Sequence, residues 1–191
     1  KNGGENGITL LGDTLKFVAG PQTDYFRSPD GSVVNNSAVI FTEVDNTKPF
    51  TFTAKVQPEF TETGTYSAGV IYAYENDTHC QKLCFEQDEY GDHRVVSVRT
   101  LGTSDDNNHQ AITAPYVYMR LSSDSTTLGS YFSEDGKIWR MARLYKNDFP
   151  EKLLIGISSQ SPKDNEHTCL FTEVSLTDKP VADFRKGNIA E

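Results

Sequence analysis

The sequence predicts an all-β protein, folded as a two-sheet antiparallel jelly-roll sandwich. Apolar and polar residues alternate with period two through most patterned segments, the mark of strands with one buried face. Turn signals punctuate these runs at the ~8–12-residue spacing of an all-β domain, giving about a dozen strand candidates. No convincing amphipathic helix of about ten residues or more interrupts them.

The alternation is clearest in three places. Phe50, Phe52, Ala54 and Val56 fall on one face of a strand, with Thr51, Thr53 and Lys55 on the other. Tyr116 to Leu121 divides into Val117, Met119 and Leu121 against Tyr116, Tyr118 and Arg120. Leu170 to Leu176 repeats the pattern less strictly. Between such runs lie Pro29-Asp30-Gly31, Tyr90-Gly91-Asp92, Asp135-Gly136 and Ser161-Pro162. Asp135-Gly136 joins Leu128–Ser133 to Ile138–Tyr145 as a hairpin, because glycine takes positive φ without a Cβ clash. So many strands need two packed sheets to bury their apolar faces. The 191 residues suit one such domain, placed at residues 8–177. Segments 1–7 and 178–191 read as polar ends, with Val181 and Phe184 as their few apolar anchors.

Hydrophobic residues make up 36% of the chain and aromatics 11%, a globular rather than disordered composition. The formal net charge of −9 repels phosphate backbones and argues against a nucleic-acid partner. No apolar run approaches the ~18 residues of a membrane helix, so no membrane partner is expected. Cys80, Cys84 and Cys169 do not form a disulfide framework. On one strand Cys80 and Cys84 would stand roughly 13 Å apart, beyond the ~7 Å between Cα atoms that a bridge spans. Three reduced thiols point to a cytoplasmic protein. The sequons at Asn35 and Asn76 weigh little against that reading.

The richest stretch for function is Tyr66–Thr100, read as strands Tyr66–Tyr74, Cys80–Gln87 and Arg94–Thr100. Lys82, Cys84 and Glu86 oppose Leu83 and Phe85 on the second. With Val96 and Val98 taken as the core side of the third, Ser97 and Arg99 face outward. Glu86 and Arg99 are then expected to pair on one outer face, as an exposed ion pair or a ligand anchor. Tyr72, Tyr74, Tyr116, Tyr131, Trp139 and Arg143 also lie on strands, as core fillers or as a platform for the apolar face of a sugar. Thr23-Asp24-Tyr25-Phe26-Arg27 mixes acid, aromatic and base and is placed at the rim of such a cleft. The ligand-binding candidates are Asp24, Tyr25, Arg27, Tyr72, Lys82, Glu86, Arg99, Tyr131 and Trp139.

Catalytic and metal signals are weak. Retaining glycoside hydrolysis needs two carboxyl groups about 5–5.5 Å apart, which Glu86-Gln87-Asp88 offers at i and i+2. Jelly-roll glucanases place Glu-x-Asp-x-x-Glu on one strand, and here the last position is Gly91, so no catalytic residue is assigned. Ser104 to His109 reads as a solvated acidic loop without a calcium-ligand spacing. The four histidines lack zinc spacing. His79 and Cys80 point to opposite faces of a strand, which disfavours a nucleophile–base pair. Neither a phosphate loop nor a nucleophile elbow is present, and neither cofactor nor metal is expected.

Several segments together resemble one family. They are Gly12-Asp13-Thr14-Leu15, Thr23 to Arg27, Ala68 to Tyr72, Lys82 to Glu86, Arg94 to Val98 with Ser104-Asp105-Asp106, Tyr131 to Trp139 and Gly156 to Pro162. Over about residues 10–176 the chain is similar to the regulation-of-enolase group of the concanavalin A-like lectin/glucanase superfamily. The resemblance implies a jelly roll and a non-catalytic regulatory role in enolase or carbon metabolism through protein association. It supplies no catalytic residues. Members of that group often carry Trp where this chain has His79 or Cys80, so a ligand site lined by that Trp would be altered here. Three expectations follow: a regulatory protein that binds a metabolic enzyme, a carbohydrate-binding module, and, least favoured, a hydrolase using Glu86.

Overall fold

A computed structural model describes residues 1–189; Ala190 and Glu191, the last of the polar C-terminal segment, lie outside the described residues. The elements in chain order are α1 (Gly4–Gly7), β1 (Ile8–Leu11), β2 (Thr14–Ala19), β3 (Tyr25–Arg27), β4 (Val33–Asn35), β5 (Ile40–Asp45), β6 (Phe50–Pro58), β7 (Ala68–Asn76), β8 (His79–Gln87), β9 (His93–Leu101), β10 (Thr103–Ala111), β11 (Val117–Ser123), β12 (Thr127–Ser133), β13 (Arg140–Lys146), β14 (Lys152–Gln160) and β15 (His167–Thr177). They form a two-sheet antiparallel jelly roll. The back sheet has seven strands in the order β1-β2-β15-β6-β11-β12-β13. The front sheet has six, ordered β10-β9-β8-β7-β14-β5, and the hairpin β3–β4 lies apart from both. No described helix is long and apolar enough to cross a membrane.

The main core lies between the sheets, where the alternating apolar residues meet. Phe52, Ala54 and Val56 of β6 and Met119 and Leu121 of β11 face Ile71, Leu83, Phe85 and Ile155 of the front sheet. Each large side chain fully buried here contributes roughly 1.5–3 kcal/mol. A second apolar cluster covers the other side of the front sheet, beneath β3–β4. Tyr25 and Val39 pack there on Val70, Tyr72, Tyr74, Cys84, Val96 and Val98. The front sheet is therefore apolar on both faces over much of its width. Its second face is closed by the hairpin and left open beside it. Cys80, Cys84 and Cys169 are free and buried.

Three sequence expectations change. Ser104 to His109 is not a loop but most of edge strand β10, paired from Thr103 to Ala111 along β9. An edge strand beyond the core carries no apolar face, which hides it from periodicity. On β9 the inter-sheet side belongs to Val95, Ser97 and Arg99, while Val96 and Val98 face the hairpin side. Both terminal segments are also tied down by more than their apolar residues. The Lys1 carbonyl accepts from the Gly4 and Val39 amides. Beyond β15, Val181 N donates to Ser122 Oγ, and Tyr131 Oη donates to the Phe184 carbonyl. That segment covers part of the outer face of the back sheet.

Candidate functional site

A cleft of about 1040 Å³ opens on the outer face of the front sheet, beside β3–β4. Its polar floor comes from β8. Because Leu83 and Phe85 point into the main core, Lys82 and Glu86 are turned outward. Lys82 is only 3% exposed. A buried ammonium needs a counter-ion, and Asp24 supplies it, with Oδ1 2.9 Å from Lys82 Nζ. A second Lys82 N–H reaches Gln160 Oε1 at 3.1 Å. Burial pulls the Lys82 pKa down, but Asp24 and the neighbouring Cys84, Tyr72 and Glu86 outweigh it and hold it well above the ordinary lysine range.

Glu86 lies on the same strand face, partly buried. Burial pushes its carboxyl up to about 8; Lys82 opposes the shift, and Asp24, Asp106 and Asp88 add to it. Asp106 enters from β10 and is also raised, chiefly by burial. The walls are mixed. Phe26 and Val34 come from the hairpin, Val98 from β9, and Pro162 and Lys163 from the chain after β14. Tyr66 stands at the mouth with φ at 65°, an uncommon conformation for a residue other than glycine. Two contacts hold it there: Tyr66 N donates to the Gln87 carbonyl at 2.7 Å, and Gln160 Nε2 donates to the Tyr66 carbonyl at 3.1 Å.

The nine ligand-binding candidates do not share one face. Asp24, Lys82 and Glu86 line the cleft. Tyr72 pairs in register with Lys82, is fully buried, and its hydroxyl has no hydrogen-bond partner among the described residues. Tyr25 and Arg27 anchor the hairpin instead of meeting the cleft. Tyr25 Oη donates to Asp77, and Arg27 Nε donates to the Gly102 carbonyl at 2.8 Å. Arg99 does not pair with Glu86: in register Glu86 faces Arg94, while Arg99 points between the sheets to Asp148 at 2.6 Å and over the Tyr145 ring. Tyr131 of β12 and Trp139, which lies in the connection before β13 and not on a strand, are on the outer side of the back sheet. Tyr131 is fully buried under the C-terminal segment, and Trp139 stacks on the Arg120 guanidinium at 3.6 Å. The expected aromatic platform is thus divided between opposite sides of the molecule. Arg143 lies between the sheets, bonded to Ser97 and Asp105.

Asp88 is not a free partner for Glu86. Its carboxylate accepts from the Tyr90 and Asp92 amides and pairs with Arg94 at 2.6 Å, closing the β8–β9 turn. Among the described residues no cluster of three or more His, Cys, Asp or Glu side chains is placed to hold a metal ion. Sequence reasoning missed Tyr66, Gln160 and Asp106 as cleft residues. Gln160, beside the Ser161-Pro162 turn, closes a polar run with Ser158 and Ser159 at the end of β14, which alternation does not read as a site.

No curated protein matches the chain. Among solved structures, a functionally unknown protein from Saccharomyces cerevisiae superposes with a TM-score of 0.80 at 22% identity, covering 90% of this chain and 91% of that one. A GH43 protein from Bacillus licheniformis gives 0.67 at 14% identity; the match covers 91% of this chain but 35% of the other, so this chain spans about a third of that protein. An alginate lyase from Pseudomonas aeruginosa gives 0.57 at 11% identity, with 90% and 86% covered. At these identities the likeness establishes the β-sandwich fold alone. The family model described as "Protein of unknown function (DUF1349)" matches residues 6–179, and the chain belongs to that family.

Proposed function

We propose that the protein is a non-catalytic, lectin-like module that binds carbohydrate in the cleft on its front sheet. One observation carries this reading. Asp24, Lys82, Glu86 and Gln160 converge on one floor beside the apolar faces of Phe26, Tyr66 and Val98. A sugar ring needs that combination, with hydrogen bonds to its hydroxyls and apolar contact for its C–H face. The GH43 protein and the alginate lyase share the fold on which this cleft is built. Calorimetric titration with a panel of oligosaccharides tests the reading. Binding that weakens about tenfold in Tyr66→Ala supports it. The absence of binding to every saccharide at millimolar concentration refutes it.

The engagement of Asp88 with Arg94 argues for binding over hydrolysis. Release of new reducing ends from a bound glycan, abolished by Glu86→Gln, would reverse that preference. The enolase-directed role and the cytoplasmic location remain proposals. The first rests on the family resemblance, the second on three free, buried thiols. Reproducible recovery of enolase or another metabolic enzyme by the tagged protein is the test of that partner.

A further inference from the structure

We infer that the ligand of this cleft carries a free amino group, as a deacetylated amino sugar does. The inference rests on the carbohydrate reading and adds a ligand class to it.

The first reason is a surplus of carboxyl groups among the lining residues. Asp24, Glu86, Glu89 and Asp106 supply four carboxyl groups against two cations, Lys82 and Lys163. Lys82 is committed to Asp24. Lys163 is exposed at the rim. Glu86 has a single long approach, 3.5 Å from Gln160 Nε2. Among the described residues, Glu89 and Asp106 have neither a side-chain hydrogen bond nor an ion pair. Glu89 and Asp106 are exposed and solvated, so half-buried Glu86 is the group a ligand ammonium in the cleft would satisfy, with the other two adding attraction. A uronate would add to the repulsion, and a neutral sugar would leave it as it is.

The second reason is independent of the carboxylates. An ammonium has three N–H donors, and the two protein partners of Lys82 use two of them. The third, on a side chain 4% exposed, has on the protein side only the face of the Phe26 ring, 5.9 Å from Nζ, and can take an oxygen of the ligand. The site therefore asks for a molecule with both an amine and hydroxyl or ring oxygens. An amino sugar has both; a simple polyamine has only the first. The raised Glu86 carboxyl fits this role, since an ammonium placed beside it displaces its proton.

A matched set of oligosaccharides tests this by calorimetry at mildly acidic pH, where the ligand amine is already protonated before it binds: a β-1,4-linked glucosamine oligomer, the same oligomer fully N-acetylated, and an oligogalacturonate. The amino form should bind about tenfold more tightly than the acetylated form, and the uronate weakest. The gap should narrow as salt rises. Asp106→Asn should narrow it as well. Binding heats of the amino form should vary with the ionisation enthalpy of the buffer, and Glu86→Gln should remove that variation. Equal or tighter binding of the acetylated oligomer overturns the inference and leaves the carbohydrate reading standing. So does spermidine binding as tightly as the amino oligomer. Loss of all saccharide binding instead refutes the carbohydrate reading itself.

Discussion

Lys82 Nζ lies 2.9 Å from Asp24 Oδ1, and this pair ties strand β8 to the chain entering the β3–β4 hairpin. It is both the floor of the cleft and a fastening of its wall. Removing one partner of a buried pair leaves an uncompensated charge, which costs about 3–5 kcal/mol, whereas replacing both is often nearly neutral. Asp24→Asn keeps the shape and the hydrogen bond to Tyr25 N but takes away the charge. It should destabilise the protein by about 3 kcal/mol in urea denaturation. Asp24→Asn with Lys82→Met should recover most of that loss. A single variant costing under about 1 kcal/mol would show that the ammonium is solvated or re-paired.

The Glu86 carboxyl gives stability a definite pH slope. Its pKa is about 8 in the folded protein, against about 4.3 in an unfolded chain. Between these values the native state holds the extra proton, so stability falls as pH rises through that window. The groups facing Glu86 are Lys82 on its own strand, Asp24, Asp106, and Asp88 with its partner Arg94. Glu86→Gln removes the slope. Relative to the parent it should gain at least about 1.4 kcal/mol at about pH 9, the worth of one pKa unit, and little at about pH 4. Parallel curves for the two proteins would contradict this.

His167 works in the opposite direction. It is 3% exposed, with Nδ1 2.8 Å from Ser159 Oγ, and Nε2 has no partner among the described residues. Burial pulls its pKa down to about 4, opposed by Asp164. The unfolded chain binds the proton first, at about 6.5, so stability is lost as pH falls from about 6.5 to about 4. The loss should approach about 3 kcal/mol. Since Glu86 pulls the other way over most of this range, the comparison requires the Glu86→Gln background. Adding His167→Gln there should flatten the acid limb, followed as the midpoint of denaturation against pH.

The two sheets were legible because most strands have one covered face. On β6, Phe50, Phe52, Ala54 and Val56 took the predicted side. On β9 the same logic failed. Val95 is buried between the sheets while Val96 and Val98 are buried under the hairpin, so valines occur on both faces and alternation cannot say which is the core. Arg99 was thereby turned to the wrong side. Strand faces alone could place Lys82 with Glu86, since both depend on one strand. They could not bring in Asp24 or Gln160, which arrive from chain 58 and 78 residues away from Lys82. Nor could they show that Tyr131 sits on the other sheet with Trp139 beside it, because alternation assigns a face within a strand and not a sheet within a fold.

Gly69 marks a close approach of the two sheets. It lies on β7, paired with Phe85 and Ser159, and a methyl group on its Cα would overlap Cys169 Sγ and Val56 Cγ1 of the back sheet. Its backbone is ordinary β-strand, so the constraint is space and not φ. Val56 and Cys169 are both fully buried and lie on neighbouring strands, which leaves the new methyl no direction in which to expand. Overpacking of this kind costs about 1–3 kcal/mol and occasionally more. Gly69→Ala should fall at the upper end of that range in chemical denaturation. Cys169→Ala alone removes one sulfur and should cost about 1 kcal/mol through the small cavity it leaves. Combined, the two should be less destabilising than the sum of the singles by at least about 1 kcal/mol, because the added methyl enters the space the sulfur vacated. Simple additivity would mean that the sheets separate to admit the methyl rather than compress around it.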